Sequence, residues 1–227
     1  MEVVLQMPET DELYHRSLNP DSEQRIMIFV DGPNFFHSQK NMGWKVQPSK
    51  IIKFFSCEDK VIEAVYYVGI DQDNKARPFI RALQHMGFTV FEKQIRTVQD
   101  HQSGNDKRRI DIDIEMVHDI LVRKDNYDTA VIVSGSRNFR RTIETLKSWG
   151  KNVVVMASSE FLSDVIKNSA GQNIYYLENL KSEFEFIEGE FAPEGEGPDR
   201  EDEDSSESNC DEEIPQERSH NRGKERR

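Results

Sequence analysis

Six short apolar runs, separated from one another by amphipathic stretches, constrain the fold of this chain more than any other feature. They lie at 25–30, 61–70, 88–95, 129–134, 152–157 and 173–177. The first and fourth are apolar without alternation, the pattern of a strand buried on both faces. Helical periodicity fills the intervals at 33–42, 49–55, 75–86, 111–123, 138–149 and 160–167, and Gly87 and Gly150 follow two of these helices where a left-handed cap is expected. Strands that alternate with helices predict an α/β fold. The expected architecture is a three-layer sandwich, with a mainly parallel sheet of five to six strands and helices on both faces.

This pattern assigns residues 25–182 to one domain. Residues 1–24 are polar and aperiodic, with Pro8 and Pro20, and read as a mobile N-terminal arm with one short helix around 9–18. Residues 183–227 carry 17 acidic against 6 basic side chains, which leaves 25 against 24 in the rest of the chain. The net charge of −12 is therefore a property of the tail. So few apolar groups among self-repelling charges predict an acidic disordered tail. The domain itself is close to neutral, so an overall pI near 5.0 is no argument against a polyanionic ligand.

Cys57 and Cys210 are the only cysteines, which argues against a disulfide framework and against a structural zinc cluster. Cys57 reads as a small core residue beside Phe54 and Phe55. No apolar run approaches the ~20 residues that span a bilayer, and the amino terminus lacks a signal-peptide pattern; the expectation is a cytoplasmic protein with no membrane partner. Neither a Walker loop nor a Gly-x-Gly-x-x-Gly fingerprint is present, which argues against a nucleotide hydrolase or a dehydrogenase.

In open α/β sheets, ligands bind beyond the carboxyl ends of the strands, where the strand order reverses. Two polar clusters fall at such ends: Asp31-Gly-Pro-Asn34 after the first strand, and Ser134-Gly-Ser136-Arg137-Asn138-Phe139 after the fourth. A third group is Asp111-Ile-Asp113-Ile-Glu115-Met-Val-His-Asp119. Winding it at ~100° per residue places Ile110, Ile114, Val117 and Leu121 on one face and Asp111, Glu115 and Asp119 on a solvated stripe. Asp113 then projects within the apolar face, where a carboxylate requires a cation or a helix amino terminus. Electropositive groups flank the clusters: Lys107, Arg108 and Arg109 before the acidic segment, and Arg137, Arg140 and Arg141, which share a helix face and are suited to clamp phosphates jointly. Phe35, Phe36 and His37 stand near the first turn, positioned either for the core or for stacking on unpaired bases.

Four of these segments, in this order, resemble the NYN (LabA-like) domains of the PIN-like nuclease superfamily. They are Phe29-Val-Asp-Gly-Pro-Asn34, Arg108-Arg-Ile-Asp-Ile112, Tyr127-Asp-Thr-Ala-Val-Ile-Val-Ser-Gly135 and Lys147-Ser-Trp-Gly-Lys-Asn-Val-Val-Val155. The resemblance spans about residues 25–180 and implies a PIN-like, Rossmannoid fold and a metal-dependent ribonuclease. It also implies Mg²⁺ or Mn²⁺ held by clustered carboxylates: Asp31 as principal ligand, Asp113 or Asp111 as the second, Asp119 further along the same helix, and Asn34 as a neutral orienting group. Hard divalent ions of this kind take oxygen ligands and keep several waters. Where the family has Ser-Gly-Asp-x-Asp-Phe, this chain has Ser136 and Asn138 in place of the two acids, so a non-catalytic RNA-binding or protein-binding domain is the rival expectation. The implied partner is RNA, single-stranded or structured, contacted by the basic groups and by Ser134, Ser136 and Asn138. A homodimer is also compatible with the sequence. The acidic tail is suited to meet a basic partner or to compete with RNA for the domain's own basic surface.

Overall fold

The structure is a computed structural model that describes residues 24–56, 60–71, 73, 75–99 and 106–188. The expected N-terminal arm and its short helix, Cys57, Cys210 and the greater part of the acidic tail lie outside the described residues.

Strand β1 (Arg25–Asp31) leads through helices α1 (Gly32–Met42) and α2 (Pro48–Phe55) to β2 (Lys60–Ile70). Helix α3 (Arg77–His85) then connects to β3 (Thr89–Gln94), and a hairpin of β4 (Arg96–Gln99) and β5 (Asp106–Arg109) precedes α4 (Asp113–Val122). The chain continues as β6 (Thr129–Val133), α5 (Arg140–Ser148), β7 (Asn152–Ala157), α6 (Asp164–Ala170), β8 (Ile174–Tyr176) and the short α7 (Lys181–Phe184). Six strands form one sheet in the order β3-β2-β1-β6-β7-β8, every neighbouring pair parallel. This is the expected three-layer α/β fold. The antiparallel β4–β5 pair was not expected; it carries Lys107, Arg108 and Arg109 opposite Val98, Thr97 and Arg96.

Alternation along β1 divides the core. Ile26, Ile28 and Val30 pack with Phe35 of α1, Ile51 and Phe55 of α2, Leu83 of α3 and Phe184 of α7. Met27 and Phe29 pack on the other face with Met116 and Ile120 of α4, Ile143 and Leu146 of α5, and Ile166 of α6. Each large side chain fully buried in this way contributes roughly 1.5–3 kcal/mol. Packing continues past the expected boundary at Ser182, because Phe184 is 1% exposed and Val46 bridges to Glu185. Among the described residues, no helix is long and apolar enough to cross a membrane.

Three local differences from the expected pattern have physical causes. Residues 160–163 belong to a loop where the start of a helix was expected, and the Glu178 carboxylate fixes that loop by accepting hydrogen bonds from the backbone N–H and the hydroxyl of Ser159 and from the hydroxyl of Ser158. Helix α5 begins later than expected, after a single 3-10 turn at Arg137–Phe139. The inward face of α4 is Ile112, Met116 and Ile120, with Val117 and Leu121 at its margin, while Ile114 is 68% exposed. Ile112 caps the helix and Asp113 is its first residue, so Ile114 turns out to solvent and Asp113 meets Ser136 and Asn138 of the loop beyond β6.

Candidate active site at the switch point between β1 and β6

Strands β1 and β6 are neighbours, with Val30 beside Val133. From β1 the chain departs to α1 on one face, and from β6 to α5 on the other. The sheet's order reverses here, so a crevice opens beyond the carboxyl ends of these two strands. Both polar clusters line it.

Asp31 closes β1 and is only 4% exposed. It is also the N-cap of α1: the Asn34 N–H donates to its Oδ1 at 3.1 Å, satisfying one of the helix's orphan donors. The Ser134 hydroxyl donates to its Oδ2 at 2.8 Å. Gly32 has to be glycine, since a Cβ there would stand 2.2 Å from the Tyr67 carbonyl oxygen. The Asn34 side chain ties the two loops together, its Oδ1 accepting from the Gly135 N–H at 3.1 Å. Gly135 in turn meets the third loop. A Cβ on it would lie 2.2 Å from the Phe161 carbonyl oxygen, and the Ser163 N–H donates to the Gly135 carbonyl at 3.1 Å.

Across the crevice, Asp113 opens α4. Its Oδ2 accepts from the Ser136 hydroxyl at 3.1 Å and from the Asn138 side-chain amide. Ser136 also donates its N–H to Ser134 Oγ at 3.2 Å, so a continuous set of hydrogen bonds joins Asp31 to Asp113. Burial pushes the Asp31 carboxyl up to about 6; the hydrogen bonds from Asn34 and Ser134 and the nearby His37 oppose the rise, and the charge of Asp113 adds to it.

Of the acids named as candidate ligands, Asp31 and Asp113 are near enough for the charge of one to act on the other, while Asp119 makes a separate contact. Asp111 is exposed, and its main-chain carbonyl accepts from the Lys93 ammonium, which also pairs with Glu115 at 2.6 Å. Asp119 accepts from the Tyr67 hydroxyl at 2.8 Å, six residues and so about 9 Å along the helix axis from Asp113. Burial, with the Asp119 carboxylate as the next cause, raises the Tyr67 hydroxyl above its ordinary value. Among the described residues, no group of three or more His, Cys, Asp or Glu side chains forms a ready metal cage.

The expected arginine clamp divides in the same manner. Glu144 engages Arg140 at 2.8 Å and Arg141 at 3.9 Å, whereas Arg137, at the mouth of the crevice, is exposed and makes no ion pair among the described residues. Phe35 is core and Phe36 is 62% exposed. Sequence reasoning overlooked Glu178, which fixes the third loop. Its contacts with Ser158 and Ser159 exist because β7 and β8 are neighbours, and no local pattern announces that pairing.

A doubly wound parallel sheet with a buried aspartate at its switch point and a second aspartate nearby defines a three-layer α/β domain with a polar crevice at the carboxyl ends of its central strands. Residues 25–178 match the NYN domain, and the chain belongs to that family. NYN domains are of the PIN-like nuclease type, whose nucleases are generally dependent on a divalent metal. The chain is 31% identical over 173 residues to the low amplitude and bright protein LabA of Synechococcus elongatus, a match that covers 75% of this chain and 91% of the relative. A crystal structure of a Vibrio parahaemolyticus protein of unknown function shares the fold, with a TM-score of 0.60 at 22% identity, covering 74% of this chain and all of that one.

Proposed function

We infer that this chain is a divalent-metal-dependent ribonuclease of the NYN type, acting at the crevice between β1 and β6. The observation that carries the reading is the buried Asp31 carboxylate, held in place by two donors and facing a second carboxylate, Asp113, across one crevice. Two like charges brought together at a partly desolvated rim repel one another, and a cation between them relieves that repulsion. The donor set suits Mg²⁺ or Mn²⁺: hard carboxylate oxygens, few in number, for an ion that keeps several of its waters. Bound there, such an ion would polarise a phosphodiester oxygen and ease deprotonation of a water.

The protein's own residues supply the rest. Asp31 and Asp113 provide the charge, and Asn34 and Ser134 hold Asp31 in a single orientation. Asn34 also locks the Gly135 loop against the first. Ser136 and Asn138 hold Asp113, and a half turn of the Asn138 amide would replace its N–H₂ with an oxygen toward the crevice. Arg137, exposed and without an ion pair among the described residues, offers its cation to a phosphate.

One observation favours a second reading, RNA binding without cleavage. Ser136 and Asn138 already satisfy Asp113 with neutral hydrogen bonds, an arrangement that needs no metal. The test is incubation of labelled single-stranded and structured RNA with the protein and Mn²⁺ or Mg²⁺, beside Asp31→Asn. Metal-dependent cleavage that falls by more than about a hundredfold in the variant supports the nuclease. Equal RNA binding by both proteins, with no cleavage by either, leaves the binding domain as the function.

A further inference from the structure

Phe35 and Phe36 are adjacent in sequence and opposite in fate. Helix α1 turns Phe35 and Ser38 inward, each 1% exposed, and leaves Phe36 62% exposed with His37 beside it in solvent. A lone exposed phenylalanine on a protein surface needs no explanation. This one is placed where the chemistry is. It lies five residues beyond Asp31 on the helix that Asp31 caps, about 7.5 Å along the axis. Its ring makes a T-shaped contact with His37, centroids 5.8 Å apart, and His37 is close enough to Asp31 for its charge to act on that carboxyl. A single T-shaped contact covers at most one face of the phenyl ring, so the other is open.

A second exposed ring belongs to a loop that meets the crevice. Phe161 is 36% exposed, and the backbone of its loop packs on Gly135; Arg137 follows Gly135 by two residues. Exposed aromatic rings and a cation that makes no ion pair among the described residues, carried by segments that meet at one crevice, are what a single strand recognises: bases stack on the rings while the backbone meets the charge. Inside a duplex each base is stacked on both faces and offers none to such a ring.

We propose that Phe36, steadied by His37, is a stacking platform for an unpaired base of a single-stranded RNA whose backbone crosses the crevice between Asp31 and Arg137. The platform rests on the reading of this crevice as an RNA site and adds the residue that selects unpaired over paired substrate. It acts on binding and register, not on the phosphate itself.

The experiment is fluorescence anisotropy of the full chain with a labelled oligoadenylate and with a blunt duplex of equal length, in EDTA and again in Ca²⁺. Wild type is compared with Phe36→Ala, Phe36→Leu and Phe36→Trp. The platform predicts that Ala and Leu each weaken single-strand binding by about tenfold, that Trp preserves it, and that duplex binding is the same for all four proteins. Leucine keeps the apolar bulk and loses the aromatic face, so wild-type affinity in Phe36→Leu would overturn stacking in favour of an apolar docking surface for protein. Equal single-strand binding by wild type and Phe36→Ala would remove the platform and leave the RNA site standing. Failure of wild type to bind either RNA at low salt would remove both.

Discussion

Asp31 and Asp113 face one crevice from different elements, and what holds each of them differs in kind. Asp31 is sealed: a backbone N–H of its own helix reaches one oxygen, the hydroxyl of the adjoining strand's Ser134 reaches the other, and glycine is required next to it. Asp113 is half-buried, and among the described residues it is held by the side chains of Ser136 and Asn138. The position and charge of Asp31 are thus set mainly by the backbone path and by burial, which the whole sheet enforces. The behaviour of Asp113 is set by the residue types at two positions of a neighbouring loop. One carboxylate is fixed by the fold, and the other is open to adjustment by substitution.

The largest expected effect breaks the sealed side. Gly32→Ala puts a Cβ 2.2 Å from the Tyr67 carbonyl oxygen, a backbone atom that cannot swing aside. The rim of β1 and β2 must then part, with an expected loss of about 3 kcal/mol of stability in urea denaturation, together with RNA-directed activity. Gly43→Ala is the control. Its φ of +74° strains any other residue, yet nothing lies within 4 Å, so the cost is limited to about 1 kcal/mol and the crevice is untouched. Equal losses for the two would mean that the close approach at Gly32 is relieved without consequence.

The second effect is a pH dependence specific to Asp31. Its carboxyl is pushed up to about 6 from an ordinary 3.8, chiefly by burial. On raising the pH, the unfolded chain loses this proton first, near 4, while the folded chain holds it until about 6. The associated stability is therefore fully present below about 4 and lost as pH rises through about 6, on the order of 3 kcal/mol in total. Chemical denaturation between pH 4 and pH 7 with a chelator present should show this slope in wild type and not in Asp31→Asn. A parallel course for the two proteins would show that burial does not govern the Asp31 charge.

These contrasts also mark what the sequence discloses. The β1 and β6 strands are legible because strands buried on both faces are written as unbroken apolar runs, and Asp-Gly-Pro-Asn after β1 announces a stop, an N-cap and a helix start in four residues. The β4–β5 hairpin is not legible: Arg-Thr-Val-Gln and Asp-Lys-Arg-Arg are four residues each and carry no apolar face to reveal their period. In α4, Ile110, Ile112 and Ile114 alternate with acids, so which of them turns inward depends on where the helix begins, and tertiary packing decides that. The same ambiguity kept Asp111 and Asp113 level in the sequence. Only the partners supplied by the β6 loop separate them, and those partners lie 23 and 25 residues away.

A smaller effect sharpens the adjustable side. Replacing Ser136 and Asn138 together with aspartate puts two charges beside Asp113, where the two neutral donors now stand. Ligand charge is a principal determinant of divalent-ion affinity, so calorimetric titration with Mn²⁺ should show binding at least about tenfold tighter, or about 1.4 kcal/mol. Asp113→Asn should weaken Mn²⁺ binding in the otherwise native chain. Unchanged affinity in the double variant would mean that the crevice does not receive the ion.

The smallest expected effect concerns the cations around Asp113 and separates one that is committed from one that is not. Arg140 donates through Nε to Glu144 at 2.8 Å within its own helix, and such i,i+4 pairs on an exposed surface contribute little. Arg137 makes no ion pair among the described residues and stands at the crevice mouth. If an RNA phosphate docks there, Arg137→Ala should weaken binding uniformly across sequences and lower the slope of log affinity against log salt by about one released counterion, about 0.7 for a single strand. Arg140→Ala should leave that slope unchanged, because the cation it removes is already balanced by Glu144. Equal slopes for wild type and Arg137→Ala would take the phosphate path away from the Asp113 side of the crevice and leave the sealed Asp31 side as the only one that RNA approaches.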